Sequence, residues 1–556
     1  MFEKVWTQGR KILTQRQPKI HRAAAFIMVT VLASKALGLV RDRLLASFFG
    51  AQPDLGVFWA AVEIPDTIFY ILGSAVFSAS FIPVFTSYLG GSGESVERGQ
   101  SDDARQKEGW VVAGTVLNLA LLCFSVLGFV LLFFSEPISR LVAPGFSKEE
   151  IQLMSGLVRV MTGAQFFFVL SYFLTGILHS FQRFLLPALA SVFYNFGVIL
   201  GIVALAPRFG VWGPAWGMVF GSFLHFVVQL PLAYSLGFSW QSVGKKLFHL
   251  EVRRVFKLMV PRAIALLGGK MSSIIQISLA SLVPTIDSVS NVAVLTFARH
   301  LKLLPVALFG MSISEAALPV LSRHTSAKEA NEFRDVFKSS LQQTLFLAAP
   351  AAVILLVLRI PAVRLAFGAK RFSWKATILT GYAVAFFSLE VVFQAVLYLL
   401  NRAFYALEEA KTPVKITLFF SALGISLAAL FTRVIGWGVW AIPLALSFAS
   451  AVQTVVQFIF LERKIGKFDR VELLAPLTKI GWSAFFSGVF LYIPMKLLDK
   501  LVFDTTRVIG LFLLTGTAAF SGLVVYLCFT YIFNVRECRQ LTRLILAQFR
   551  RKESGK

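Results

Sequence analysis

Residues Ala33 to Gly50 read Ala-Ser-Lys-Ala-Leu-Gly-Leu-Val-Arg-Asp-Arg-Leu-Leu-Ala-Ser-Phe-Phe-Gly. They belong to the first long apolar run, which begins at Ala23, yet they carry Lys35, Arg41, Asp42 and Arg43 where a plain membrane anchor would carry leucine. A charge at the bilayer centre costs at least ~2.5–3.5 kcal/mol on insertion scales, so such residues face a bundle interior or a watery cavity. Lys35 lies about 12 residues into the run, or ~18 Å at 1.5 Å per residue, too deep for easy snorkelling. Lys35 and Asp42, seven apart, fall on nearly one face, and Gly38 between them leaves room for a neighbour or a ligand. Arg41 and Asp42 read either as cavity groups or as an ion pair that holds Arg41 in place. Arg43, nearer the outer end, snorkels.

Composition gives this stretch its setting. The chain has 556 residues, 57% of them hydrophobic and 15% charged, with a mean hydropathy of +0.74. A soluble domain cannot hide that much apolar surface. Apolar segments of 20 or more residues recur along almost the whole length, which indicates a polytopic all-α membrane protein. A β-barrel would show short alternating segments instead. The net charge of +25 would suggest nucleic acid in a soluble chain, but here the cations flank apolar segments in short loops, so no nucleic-acid partner is expected. The scattered Cys123, Cys528 and Cys538 suggest neither a disulfide framework nor a metal cluster. The first apolar run is too long and too charged for a signal-peptide core, so no cleavage is expected.

Hydropathy marks about fourteen spans: 23–49, 55–89, 110–135, 151–181, 185–206, 211–236, 253–285, 290–322, 337–366, 374–406, 413–433, 438–462, 474–495 and 507–534. Pro65 and Pro83 in the second span, and Pro305 and Pro319 in the eighth, predict bends. Lys and Arg concentrate in the even-numbered loops and in both tails, as in Lys245, Lys246, Arg253, Arg254 and Lys257. With positive residues inside, both termini face the cytoplasm.

A duplication organises the spans. Gly210-Val211-Trp212 recurs as Gly438-Val439-Trp440, Ser222 as Ser450, and Val227-Val228-Gln229 as Val455-Val456-Gln457. Phe146-Ser147 recurs as Phe372-Ser373 at a similar offset. Spans 1–6 and 7–12 therefore read as two parallel six-helix repeats, a geometry suited to alternating access. The expected organisation is a basic cytoplasmic segment 1–22, a first lobe 23–236, a second lobe 253–462, two added helices within 474–534 offering an apolar surface to a lipid tail, and a basic tail 535–556.

Further charges interrupt the apolar runs. Glu63 and Asp66 in the second span sit three apart and are read as charge balance for Lys35 or Arg41, or as coupling groups. Lys270 follows Gly268-Gly269. Arg299, His300 and Lys302 precede Pro305, and Arg299 and Lys302 share a face. Glu315 and Glu390 stand alone in apolar runs, as cation or proton sites or as partners of these bases. His179 and His225 are read as satisfied interfacial or core histidines. A cationic, water-accessible interior suits an anionic substrate, above all pyrophosphate. No Walker loop, H-E-x-x-H or Rossmann glycine pattern occurs, so the reading is a transporter rather than an enzyme. No cofactor is expected and no metal site is assigned. Energy would come from a coupling monovalent cation or the membrane potential.

Several blocks resemble the MurJ (MviN) family of bacterial lipid II flippases, in the wider superfamily of multidrug and polysaccharide exporters. They are Ser34 to Asp42 with its Leu-Gly-x-x-Arg-Asp core, Ala75 to Tyr88, Ala143-Pro144-Gly145-Phe146, Gly176 to Phe184, Ala215-Trp216-Gly217, Leu304 to Ser322, and Arg402 to Val414. The resemblance implies a V-shaped two-lobe core with a cationic cavity. It also implies export of undecaprenyl-pyrophosphate-linked peptidoglycan precursor across the bacterial cytoplasmic membrane, membrane lipids and cell-wall synthesis machinery as partners, and a tail groove on the last two helices. Arg41 and Asp42 match the family's Arg-Asp. The preceding arginine is Lys35 here, the acid before the second helix falls on Gly56 with Asp54 nearby, and two further arginines fall on Phe69 and His300. These departures keep open an exporter of another lipid-linked oligosaccharide or a small amphiphile, and a non-transporting scaffold is a third reading.

Overall fold

The computed structural model describes residues 20–73, 81–89, 102–238, 267, 269–325, 329–501 and 507–540. Their regular structure is helical, apart from one isolated bridge between Ile286 and Val289. The loop at 90–101, the basic stretch 239–266 and the tail at 541–556 lie outside the described residues.

Two compact units divide the chain at Leu282, and the first also takes in Ala369–Phe372. The first unit contains α1 (Ile20–Phe49), α2 (Pro53–Leu72), α3 (Ile82–Leu89), α4 (Asp102–Phe133), α5 (Ser135–Val142), α6 (Lys148–Ser180), α7 (Leu185–Phe209), α8 (Trp212–Ser235) and α9 (269–282). The second contains α10 (Asn291–Leu321), α11 (Ala330–Val357), α12 (Arg359–Phe367), α13 (Trp374–Ala406), α14 (Lys411–Val434), α15 (Ala441–Ile465), α16 (Arg470–Leu501) and α17 (Val508–Ile532). The first unit thus includes α9, which the repeat reading gives to the second half.

Eleven helices among the described residues are long and apolar enough to cross a membrane. The expected fourteen is not reproduced. The seventh span lies mostly outside the described residues, residues 74–80 of the second lie outside them too, and the first carries Lys35, Arg41, Asp42 and Arg43 in the half whose side chains are described. Large apolar side chains face outward, among them Val508, Ile509, Phe512 and Phe520 on α17. In water they would be a liability, whereas lipid accepts them at no cost.

The duplicated sequence builds duplicated local structure. Ser147 caps α6 and forms a capping box: its Oγ accepts from Glu150 N at 3.2 Å, and its own N–H donates to Glu150 Oε2 at 2.8 Å. Ser373 caps α13, accepting from Ala376 N at 3.1 Å. Each cap starts a helix of 33 residues. Each helix is followed by a residue at positive φ, Gln182 and Glu408. The next helix in each unit carries a π-bulge near its end, Gly201–Leu205 and Leu430–Val434, which loosens the i→i+4 ladder at the same place. The repeated glutamines are fully buried in both units: Gln229 accepts from Thr175 at 2.8 Å, and Gln457 donates to Asn401 at 2.7 Å.

Close backbone approach sets two other points. A Cβ on Gly217 would stand 2.9 Å from the Gly201 Cα and 3.0 Å from the Val198 carbonyl, so α7 and α8 cross where only glycine fits. At the end of α1, Gly50 has φ +65, and a Cβ there would meet the Arg371 carbonyl at 2.2 Å. Arg371 Nη1 also donates to the Phe48 carbonyl at 3.0 Å, clasping the helix end. In the second unit Lys464 bonds Glu409 in the turn between α13 and α14. That bond, with help from Thr412, holds the Glu409 carboxyl below the usual carboxylate range.

Candidate intramembrane charge sites

The charges of the opening stretch are arranged around Arg41. Its Nε and Nη2 donate to Asp42 Oδ1 at 2.9 and 2.8 Å, and Nη1 donates to Asn195 Oδ1 at 3.3 Å. Asn195, on α7, turns its amide to α1 and donates from Nδ2 to the Ser34 carbonyl and hydroxyl, each at 3.3 Å. Gly38 lies alongside this contact, and a Cβ built there would stand 4.0 Å from Asn195 Oδ1, an ordinary van der Waals distance. Asp42 is buried and Arg41 is about a fifth exposed. A guanidinium has five N–H donors. Three are engaged here, and two remain for a planar anion such as a phosphate.

Lys35 lies seven residues before Asp42 on the same continuous helix, so the two share a face as expected, but their surroundings differ. Lys35 is exposed, and it has no ion-pair partner among the described residues. The acids of α2 serve neither it nor Arg41 by direct contact. Instead, Glu63 meets Lys270 of α9 at 3.7 Å, and the Lys270 ammonium also lies 5.1 Å from the Tyr70 ring centroid. The reason is packing, since helix proximity rather than sequence spacing selects partners. Asp66 accepts from Gln165 Nε2 of α6 at 2.7 Å. It has no ion-pair partner among the described residues. Asp54 is exposed in the first turn of α2, and Phe69 packs against Phe168 and Tyr172.

The second unit has its own centre. Lys302 of α10 donates to Glu390 Oε2 of α13 at 3.1 Å and lies 4.4 Å from the Phe387 ring centroid. Gln394 donates to Glu390 Oε1 at 2.9 Å and to Ser450 Oγ at 3.3 Å. The side chains of this pair are 15% and 5% exposed, so the charges are held in a low-dielectric setting. The structure thus makes Lys302 and Glu390 partners of each other. Arg299 and His300 are half-buried one turn away. Further along α10, past Pro305 and a π-bulge at Val306–Met311, Glu315 pairs with Arg402 of α13. His225 is a buried core histidine: Ser171 Oγ lies 2.5 Å from its Nδ1, and Gln229 Nε2 reaches the same Oγ at 2.7 Å. His179 packs against Phe184.

Asn195, Gln165 and Gln394 escaped the sequence reading, and Arg402 entered it only as the start of a motif. An amide inside an apolar run carries the same signal as an intramembrane charge, only weaker, and a search for such amides finds all three. No group of three or more His, Cys, Asp or Glu among the described residues could hold a metal ion.

The family model described as "Lipid II flippase MurJ" matches residues 45–511. A Bdellovibrio bacteriovorus protein named probable lipid II flippase MurJ is 25% identical over 539 residues, covering 96% of this chain and 98% of its own length. The Burkholderia cenocepacia lipid II flippase MurJ is 28% identical over 407 residues, covering 72% and 76%. Among solved structures, lipid II flippase MurJ in an inward closed conformation aligns with TM-score 0.74 at 22% identity, covering 91% of this chain and 98% of that one. An inward-facing MATE family transporter of the MOP superfamily aligns with TM-score 0.63 at 16% identity, covering 80% and 98%.

Proposed function

Because the chain belongs to the lipid II flippase MurJ family, we propose that it moves a lipid-linked, pyrophosphate-bearing peptidoglycan precursor from the inner to the outer leaflet of a bacterial cytoplasmic membrane by alternating access. The single observation carrying this reading is the family match over residues 45–511. The polar groups held inside apolar helices support it, because intramembrane ionisable residues mark substrate and ion pathways. In this reading Arg41 is the foremost substrate ligand. Its two remaining N–H donors form charge-assisted bonds to diphosphate oxygens, each worth ~1.5–3 kcal/mol. Asp42 and Asn195 hold the guanidinium in place, and Lys35 adds a mobile positive charge. The lobes are 23–236 and 253–462, and both termini lie in the cytoplasm.

The test is genetic. Expressed in a bacterium depleted of its own lipid II flippase, the wild-type chain restores growth, while Arg41→Ala at equal membrane abundance does not. A well-expressed wild-type chain that fails to rescue growth refutes the reading.

A further inference from the structure

The Ala143-Pro144-Gly145-Phe146 turn takes no part in the charge sites above, yet it borders a cavity of about 540 Å³ in the first unit. That volume lies within the range of small-ligand sites. Ala143, Pro144, Phe146 and Ile151 give the cavity apolar walls, and Arg140 of α5 and Lys148 of α6 bring two cations to it. The walls are fixed by their own bonds. Ala143 N donates to the Ser139 carbonyl at 2.9 Å, and Phe146 N donates to the Ala143 carbonyl at 3.1 Å. Gly145 N donates to Ser281 Oγ of α9 at 3.2 Å. A Cβ on Gly145 would stand 2.0 Å from the Ser281 carbonyl oxygen, so the turn is pressed against α9.

Among the described residues no acid lines this cavity. Glu136 accepts from Arg140 Nη2 at 2.6 Å, which leaves most of the guanidinium fork for another acceptor. Glu150 is held in the Ser147 capping box, and Glu149 bonds back to Ser147. Lys148 is exposed, with no ion-pair partner among the described residues. The setting is equally specific. α5 begins two residues after the apolar α4 ends, and Phe133, Phe134 and Leu141 are bare, Leu141 by 79%. A short helix with bare apolar side chains beside a cation lies in the membrane interface, its apolar groups among the acyl chains and its cation at phosphate depth. In the orientation proposed above this is the outer leaflet, where Lys and Arg are scarce, so the two cations call for a local reason.

We propose that this cavity binds the headgroup phosphate of an anionic phospholipid, with Arg140 and Lys148 on the phosphate oxygens and the acyl chains over Phe133 and Leu141. A soluble anion would meet the two charges but gain nothing from the bare apolar side chains, whereas a lipid meets both. A bound lipid joins α4, α5 and α6 at that membrane surface. The binding does not rest on the transport reading. It requires only that the chain sits in a membrane.

The experiment uses the full-length protein in detergent, with phosphatidylglycerol or phosphatidylcholine of the same acyl chains added and bound lipids counted by native mass spectrometry. The wild type prefers phosphatidylglycerol. Arg140→Gln/Lys148→Gln weakens that binding about tenfold or more and leaves phosphatidylcholine binding unchanged. Arg208→Gln, at an exposed cation of α7 outside the cavity, changes neither. In vesicles, a phosphatidylglycerol with a photoreactive headgroup labels residues 133–151 of the wild type, which locates the site even if the double variant does not fold. The assignment is overturned if the double variant binds phosphatidylglycerol as the wild type does, if Arg208→Gln lowers binding equally, or if the label falls elsewhere. Displacement of the lipid by millimolar inorganic phosphate overturns it in favour of a soluble anion. Growth rescue does not enter, so failed rescue with lipid binding intact refutes the transport reading alone.

Discussion

Replacing either member of the Lys302–Glu390 pair should destabilise the protein far more than replacing both. The two groups are 3.1 Å apart and at most 15% exposed. At an effective dielectric near 20 their attraction is about 5 kcal/mol. Most of that offsets the cost of taking two ions out of water, so the net contribution of the pair is small. Breaking the pair is another matter. In Lys302→Met, Glu390 stays buried with only the Gln394 amide. In Glu390→Gln, Lys302 stays buried without a counter-charge, beside a neutral amide and the Phe387 ring. Each single variant should cost about 3–5 kcal/mol, whereas the double variant Lys302→Met/Glu390→Gln should lie within about 1–2 kcal/mol of wild type. Thermal denaturation of the purified protein, followed by tryptophan fluorescence, reads the difference. At ~1 °C per kcal/mol for a chain of this length, each single variant should melt about 3–5 °C below wild type, with most of that recovered in the double. Additive losses would refute the coupling, as would a Glu390→Gln variant as stable as wild type.

Asn195→Ala should cost about 1–3 kcal/mol through lost bonds to Ser34 and Arg41, and should reduce growth rescue even at normal membrane abundance. Rescue at wild-type level would show that Arg41 needs no support from α7. Gly217→Val should force α7 from α8 and lower thermal stability by about 1–3 kcal/mol or more, measured in the same melting assay. Glu537, beyond the end of α17, has a buried Oε2 without a partner, and burial pushes its carboxyl up, with Arg536 opposing. Its folded-state value therefore lies above the unfolded one, and its contribution is favourable at low pH and lost as pH rises through the folded value. Glu537→Gln should accordingly raise the melting temperature at pH ~8 and change it little at pH ~4, where the acid is protonated.

Charge within apolar runs and the echo of Val-Val-Gln were legible because each is a local property of the chain. The echo led directly to Gln229 and Gln457, both buried and both bonded to the long capped helix of their own unit. Partner choice was not legible. Glu63 could have served Lys35 or Arg41 by spacing, yet it meets Lys270, which is 207 residues away, because α9 packs beside α2. Arg402 was visible only as part of a motif, and its pairing with Glu315 depends on where α10 bends after Pro305. Residue type reveals that an intramembrane charge needs an explanation, but only packing supplies the neighbour.

The clasp on the end of α1 has a consequence for the order in which the protein is made. The Phe48 carbonyl receives its donor from Arg371, 323 residues further along. At the usual ~5–20 residues per second, a ribosome needs about 16–65 s to deliver that arginine after the helix end has emerged. The helix that carries Arg41 is therefore among the first to enter the membrane and among the last to be finished. During that interval its tip depends on lipid, translocon or chaperone for what the completed chain later provides.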